Sequence, residues 1–216
     1  MKNKSKADFN PIAIYIVLSL VAPAWLAIIY GIFTMGDTSG ITKFTYIASI
    51  VAELTIFIIF LIKYRQKLID DLNKLTLKQI GVIILIGIAI IAANEGLSTL
   101  FVKLNVETEN QDMIIDMFNS MRIPTIISVA ICAPIIEELV FRYSIGTLVK
   151  SDKVFLIVSS LAFGIMHGIG IITILYVLIG VALGLVYLKY KKNVVAPMII
   201  HIMNNSFSVI LLLLSI

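Results

Sequence analysis

The sequence predicts an all-α membrane protein, a bundle of about seven transmembrane helices in one domain. The chain of 216 residues is 60% hydrophobic and 14% charged, whereas soluble domains are about 45–50% apolar and about 25% charged. Its mean hydropathy is +1.05. Apolar stretches near the roughly 20 residues needed to cross a bilayer recur along the whole chain. We therefore expect a multi-pass protein of the cell membrane.

Seven apolar stretches are predicted to be the spans. They are 11–33, 44–62, 80–102, 123–141, 154–167, 171–188 and 194–216. The fourth has a helix-compatible continuation to Val149, and the fifth is the shortest. The first resembles a signal peptide, but its apolar part is too long and continues past any plausible cleavage site, so we expect a retained helix.

The distribution of Lys and Arg predicts that the N-terminus is cytoplasmic and the C-terminus is outside. The cytoplasmic side then receives Lys2, Lys4, Lys6, Lys63, Arg65, Lys67, Lys74, Lys78, Lys150, Lys153, Lys189, Lys191 and Lys192. The opposite side receives Lys43, Lys103 and Arg122, with an acidic loop of Glu107, Glu109, Asp112 and Asp116.

Two segments between spans have their own patterns. Residues 63–78 mix basic and apolar side chains, which predicts an amphipathic segment at the cytoplasmic interface. Met113, Ile114, Met117 and Met121 recur at helical spacing in the outer loop, which predicts a short surface helix. Both are interpreted as connectors that contact lipid.

Glu137, Glu138 and Arg142 follow an almost uninterrupted apolar run. An ionised group inside a spanning helix costs roughly 2.5–3.5 kcal/mol on insertion scales, so such groups are usually paired and functional. Glu138 and Arg142 are four residues apart and can form an ion pair. Glu137 lies about 100° round the helix and is left for chemistry. The alternative places all three at a helix end among headgroups; we favour the buried interpretation.

The two histidines of the chain both lie in predicted spans. His167 sits between Gly164 and Gly168, a spacing that lets helices approach closely. Counted from the cytoplasmic ends, Glu137 and His167 lie at similar depth, roughly 18–21 Å, on consecutive antiparallel helices. We therefore expect these two side chains to be neighbours.

His201 and Asn205 are four residues apart on the last span, and Asn204 partly shares their face. A polar stripe that holds the helix in the bundle is the simpler interpretation. A carboxylate and an imidazole that hold a water form a general base, and a second imidazole with an amide can stabilise an oxyanion. The whole set points to hydrolysis of an acyl bond, most naturally a peptide bond, inside the membrane.

Three motifs in this order resemble the CAAX protease and bacteriocin-processing family, which includes type II CAAX prenyl endopeptidases and bacterial abortive-infection proteins. They are EExxxR (Glu137, Glu138, Arg142), FxxxH (Phe163, His167) and HxxxN (His201, Asn205). The resemblance covers about 123–206. It divides the single membrane domain into three variable N-terminal spans, 1–122, and a catalytic core, 123–216.

The resemblance implies a glutamate-type intramembrane endopeptidase without a cofactor. Glu137 would be the general base on water with the help of His167, and His201 with Asn205 would stabilise the oxyanion. The orienting residues would be Glu138, Arg142, Phe163 and Asn204. Because this family was earlier regarded as metal-dependent, a zinc ion on Glu137, His167 and His201 is the alternative, although the chain has no HExxH motif.

The expected partners are the lipid bilayer and a peptide or membrane-protein substrate, such as a leader peptide, a pheromone or a bacteriocin. No basic–aromatic patch for nucleic acid is visible. One alternative is a non-enzymatic membrane protein for bacteriocin immunity or for regulation of a membrane sensor. Another is a transporter with a proton path through Glu53, Glu95 and Glu137, but the broken half-helices typical of such folds are not visible. The sequence leaves the roles of Glu53 and Glu95 and the oligomeric state open.

Overall fold

The computed structural model describes residues 7–34, 40–103 and 109–214, and the regular secondary structure of this part of the chain is all helical, without a strand. The predicted all-α class is confirmed. The elements are α1 (Asn10–Phe33), α2 (Ile41–Asn73), α3 (Leu77–Lys103), α4 (Glu109–Ser120), α5 (Arg122–Leu148), α6 (Asp152–Met166), α7 (Ile172–Lys189) and α8 (Val195–Leu214). The predicted cytoplasmic lysines Lys2, Lys4 and Lys6, the acidic Glu107 and the C-terminal Ile216 lie outside the described residues.

Six helices of the described residues are long and apolar enough to cross a membrane: α1, α2, α3, α5, α7 and α8. The predicted fifth span corresponds to α6, which has 15 residues. At 1.5 Å per residue this helix is about 22 Å long, shorter than the roughly 30 Å hydrocarbon core. The chain is a multi-pass membrane protein, whereas the count of seven spans and the cytoplasmic N-terminus stay predictions.

The helix α5 is the most buried of the six. It contacts α2, α6 and α8, and α8 also packs on α3, while α6 lies along α7. Two π-helical turns interrupt α5, at Ser128–Cys132 and Glu138–Ser144. A π turn adds a residue to the turn and is frequent at functional sites. The helix continues past Arg142 to Leu148, so the predicted extension toward Val149 is confirmed.

The predicted amphipathic segment 63–78 contains the end of α2 and the start of α3. The helix α2 continues through this region to Asn73, because a helix that leaves the bilayer needs no apolar face to stay helical. Its end holds the buried carboxylate of Asp71, which is paired with Lys67 and Lys74.

Asp71 also holds the start of α8. Its Oδ2 accepts a hydrogen bond of 2.9 Å from the Val194 N–H, and its carbonyl accepts one of 2.6 Å from the Asn193 side chain. The Asn193 Oδ1 in turn accepts from the N–H groups of Val195 and Ala196, as an N-cap residue does. These bonds tie α8 to the end of α2 and thereby fix the position of its later residues.

The outer segment with the periodic methionines is a helix, α4, as predicted. Met113 is exposed, but Met117 and Phe118 are buried against the bundle. The interpretation of this helix as a lipid-contacting connector is therefore wrong for its inner face, since that face packs on protein.

Glycines allow α6 and α7 to approach closely. A Cβ on Gly164 would lie 2.4 Å from the Val177 Cγ2, and a Cβ on Gly180 would lie 3.0 Å from the Ser160 Cα. Gly168 has another role than the predicted one, because it lies beyond the end of α6 with φ +140°. This left-handed conformation suits glycine and ends the helix just after His167.

Candidate active site

The charged stretch of α5 lies inside the bundle. Glu138 and Arg142 are 0% exposed and Glu137 is 9% exposed. These residues do not lie at a helix end, because α5 continues beyond them for about one and a half turns. Buried charges of this kind need partners, and the structure supplies them from three other helices.

Glu138 and Arg142 form the predicted ion pair, with 3.3 Å between the Arg142 Nε and the Glu138 Oε2. Arg142 Nη2 donates a 3.3 Å hydrogen bond to the Gly180 carbonyl of α7. Its guanidinium carbon lies 4.6 Å from the ring centre of Phe163, a cation–π contact. A carboxylate, a carbonyl and an aromatic face thus surround the cation.

The second oxygen of Glu138 holds His201. The His201 Nδ1 lies 2.8 Å from the Glu138 Oε1. Because Glu138 is the ion-pair partner of Arg142, its oxygen is the acceptor in this contact and the His201 Nδ1 is the donor. No pattern in the sequence indicated this contact, since the two residues are 63 positions apart and no helical spacing relates them.

His167 caps the end of α6. Its Nδ1 lies 2.7 Å from the carbonyl oxygen of Phe163, and a carbonyl can only accept, so this nitrogen carries the proton as well. The imidazole lies between the rings of Phe163 and Tyr176, each with its centre 4.4 Å away. The FxxxH motif therefore has a structural basis, because Phe163 supplies both the acceptor and one of the flanking rings.

Both imidazoles direct the opposite nitrogen to one carboxylate oxygen. The Glu137 Oε2 lies 3.6 Å from the His167 Nε2 and 3.8 Å from the His201 Nε2. These separations exceed ordinary hydrogen-bond lengths. The same oxygen is buried without a hydrogen-bond partner in the described part of the chain. The Glu137 Oε2 is thus a buried acceptor without a donor, and it lies next to the Nε2 atoms of two histidines. The hydrogen bond at Nδ1 fixes the tautomer of each histidine.

Asn205 is held by the first π turn of α5. There the N–H of Ala133 bonds to the carbonyl of Ser128, so the next carbonyl, that of Val129, would pair with position 134. Pro134 has no N–H, and the Asn205 amide supplies the missing donor at 3.0 Å. One N–H of the Asn205 amide, the predicted oxyanion donor, thus donates to Val129, and its other N–H is available to a ligand.

The candidate residues face a cavity of about 740 Å³ that is bounded by all six long helices and by α4 and α6. Glu137, His167 and Asn205 are in its wall, and the predicted orienting residue Asn204 is there too. His201 lies behind them and is 3% exposed. The structure thus brings Glu137, His167 and His201 together and gathers the two asparagines nearby.

Other cavity residues were missed by the sequence analysis as members of the site. Tyr15, Glu53, Ser128 and Asn94 come from four helices and share the same cavity. Glu53 accepts a hydrogen bond from the Ser128 hydroxyl. The presence of Glu53 and Asn94 inside spans was the available signal, but no spacing within one helix could associate them.

The residues of the zinc alternative were tested for their fit to a metal ion. Within the described part of the chain, no three His, Cys, Asp or Glu side chains are arranged to hold one. Glu137, His167 and His201 therefore do not fit a zinc site in this geometry.

Comparison with known proteins supports the resemblance deduced from the three motifs. Residues 119–207 match a family model described as type II CAAX prenyl endopeptidase Rce1-like. The chain is 43% identical over 82 residues to the UPF0177 protein YaiH of Lactococcus lactis, a match that covers 37% of this chain and 34% of that protein. It is 33% identical over 108 residues to "Putative membrane peptidase YdiL" of Bacillus subtilis, covering 49% of this chain and 43% of that protein. No solved structure matches the chain.

The matched parts span between a third and a half of the length of these two relatives. All three sequence motifs fall within residues 119–207. The predicted family resemblance is confirmed for this part of the chain, which carries α5 to α8 and the residues around Glu137.

Proposed function

We propose, from the premise that residues 119–207 match the Rce1-like family of type II CAAX prenyl endopeptidases, that this chain is an intramembrane endopeptidase of the glutamate type. One observation carries the proposal. Two imidazoles, each with Nδ1 bound to an acceptor, direct Nε2 to the same oxygen of a buried glutamate at 3.6 and 3.8 Å. That glutamate is in the wall of a cavity large enough for a peptide segment.

In this mechanism, Glu137 and His167 hold and activate a water. A neutral His167 with its proton on Nδ1 has a lone pair on Nε2, and the Glu137 carboxylate offers a second acceptor beside it. A water that donates one proton to each has its oxygen lone pair free for a peptide carbonyl. Glu137 accepts the proton as the new C–O bond forms, and it returns the proton to the amide nitrogen as the C–N bond breaks.

His201 and Asn205 stabilise the oxyanion of the tetrahedral intermediate. His201 protonated on both nitrogens donates from Nε2, and Glu138 at 2.8 Å from Nδ1 balances its charge. Asn205 contributes the N–H that Val129 does not use. Preorganised donors in a water-poor site are among the largest contributions to acyl-transfer catalysis, with about 10²–10³ in rate per donor.

The substrate class follows from the surroundings of the site. All six candidate membrane-spanning helices contribute to the wall of the cavity, which favours a peptide bond in a segment that enters the bilayer. We propose a leader peptide, a pheromone, a bacteriocin or a membrane protein as the substrate.

The experiment compares the membrane and secreted peptides of cells that express the wild type, Glu137→Gln or Asp70→Asn. Glutamine is nearly isosteric with glutamate but unable to act as a base, and Asp70 is an exposed acid on α2 that serves as the matched control. We expect precursor peptides to accumulate with Glu137→Gln alone. Identical peptide sets in all three strains, with normal amounts of each protein in the membrane, would contradict the proposal and favour a non-enzymatic immunity or regulatory role.

A further inference from the structure

The cavity wall outside the catalytic set contains two buried acceptors that lack a donor. Glu53 of α2 accepts from the Ser128 hydroxyl through Oε2, while its Oε1 is buried without a partner among the described residues. Asn94 of α3 is 9% exposed, and its Oδ1 is likewise without a partner in that part of the chain. Both residues line the cavity that contains Glu137.

A chain of hydrogen-bonded side-chain amides determines which side-chain atom of Asn94 is left without a partner. The carbonyl of Val129 must accept from the Asn205 amide nitrogen, so the Asn205 oxygen accepts from Asn204. The Asn204 oxygen then accepts from the Asn94 nitrogen at 3.2 Å. The direction of these hydrogen bonds therefore leaves the side-chain oxygen of Asn94, an acceptor, without a donor.

The charge of the cavity has one sign. Glu53, Glu95 and Glu137 line it, and no Lys or Arg is among the described residues of its wall. The buried cation Arg142 is paired with Glu138. A buried carboxylate without a partner is strongly unfavourable, whereas a buried ion pair with additional hydrogen bonds can recover the cost of desolvation. A positively charged ligand would supply the donors that the Glu53 Oε1 and the Asn94 Oδ1 lack.

We infer that Glu53, Asn94 and Glu95 form a subsite for a positively charged group, the ammonium of a lysine or the guanidinium of an arginine in the substrate. An ammonium offers three N–H donors and no acceptor. Those donors match the free oxygen of Glu53 and the orphaned oxygen of Asn94, and Glu95 adds negative charge. The inference rests on the proposed function, because it assigns this subsite to the peptide that Glu137 cleaves.

The position of the subsite residues in the sequence assigns substrate selection to the N-terminal part of the chain. Glu53, Asn94 and Glu95 lie on α2 and α3, before the segment 119–207 that matches the endopeptidase family. The variable N-terminal spans would then select the substrate, while α5 to α8 carry the chemistry. A basic residue at a fixed distance from the scissile bond is the expected signature.

Synthetic peptides test the subsite without knowledge of the natural substrate. The probes are acetylated, amidated apolar peptides with one lysine moved through every position, and a matched set with norleucine, which keeps the chain length without the charge. Binding is measured to the Glu137→Gln protein in detergent. We expect at least about tenfold tighter binding of lysine peptides at a few positions, as for close charge pairs. The preference should disappear when Glu53→Gln is added and persist with Asp70→Asn.

Equal binding of the lysine and norleucine peptides at every position would overturn the inference, as would a lysine preference that survives Glu53→Gln. If the Glu53→Gln protein does not accumulate, Glu95→Gln, on the partly exposed side of the cavity, is used in its place. A smaller loss of the lysine preference is then expected. An unchanged lysine preference would contradict the subsite. Cleavage of the same peptides by the wild type is measured separately. Selective binding without cleavage would reject the proposed function alone, and cleavage without selectivity would reject the subsite alone.

Discussion

The imidazole of His201 on α8 donates a 2.8 Å hydrogen bond from Nδ1 to Oε1 of Glu138 on α5. The other oxygen of Glu138 lies 3.3 Å from Arg142. One carboxylate therefore holds both a candidate oxyanion donor and a buried cation. This assigns Glu138 to positioning and leaves the adjacent Glu137 free to face the cavity.

Replacement of Arg142 should affect folding as well as activity. Arg142→Ala leaves Glu138 and its charge buried without the cation, and the loss of one partner of a buried pair costs about 3–5 kcal/mol. We expect a lower amount of protein in the membrane and a lower unfolding temperature in detergent. Arg65→Ala, which removes an exposed arginine of α2, is the control. Normal abundance of Arg142→Ala with lost cleavage would instead indicate an arginine that binds substrate.

The close approach of α6 and α7 predicts a difference between two glycines. A Cβ at Gly164 would meet the Val177 side chain at 2.4 Å and the Thr173 carbonyl at 3.0 Å, whereas nothing lies within 4 Å at Gly81. Gly164→Ala should destabilise the protein by about 1–3 kcal/mol through overpacking. Gly81→Ala should be neutral or stabilising by up to about 1 kcal/mol, because alanine favours a helix. Thermal unfolding of both variants measures this, and equal midpoints would contradict the packing described for α6 and α7.

The spacing of residues within one helix predicts contacts along that helix, but it does not indicate contacts between residues far apart in the sequence. The pair Glu138–Arg142 follows from a spacing of four on one helix, and it is present. The contact from Glu138 to His201 joins residues 63 positions apart, so only the packing of α5 on α8 reveals it. The link between Asn205 and Val129 depended on a π turn placed next to Pro134, which apolar periodicity does not indicate.

The end of a helix was predictable where the helix and its apolar run end together, and it was missed where the helix continues past the apolar run. The end of α6 near His167 agrees with the predicted limit, since Gly168 ends the helix there. The continuation of α2 to Asn73 was missed because the apolar run stops near Ile62, although helical structure does not require apolar residues outside the membrane. Glu53 was noticed as a polar residue in a span, but the cavity that it shares with Asn94 is a tertiary feature.

Addition of a strong chelator tests the water mechanism against a zinc mechanism. Because the described carboxylates and imidazoles are not arranged to hold a metal ion, we expect cleavage to continue at an unchanged rate. Loss of cleavage that zinc restores would contradict this expectation and would identify Glu137, His167 and His201 as ligands. The control is the unfolding temperature of the protein with the chelator, which separates an effect on activity from one on stability.

The location of the C-terminus tests whether α6 crosses the membrane. With seven spans and a cytoplasmic N-terminus, a reporter fused after Ile216 should be extracytoplasmic, and a reporter fused at the N-terminus should be cytoplasmic. Reporters on the same side would show an even number of spans. The 15-residue helix α6 is the one that would then be removed from the count.

The rate of peptide cleavage by purified Glu137→Gln, relative to the wild type, tests the central claim most directly. The substitution keeps the size of the side chain and removes the base that faces His167 and His201 at 3.6 and 3.8 Å. We expect a fall in kcat/KM of at least about 100-fold, with an unchanged unfolding temperature, and a change within about twofold for the surface variant Asp70→Asn. A folded Glu137→Gln protein that cleaves at the rate of the wild type would contradict it.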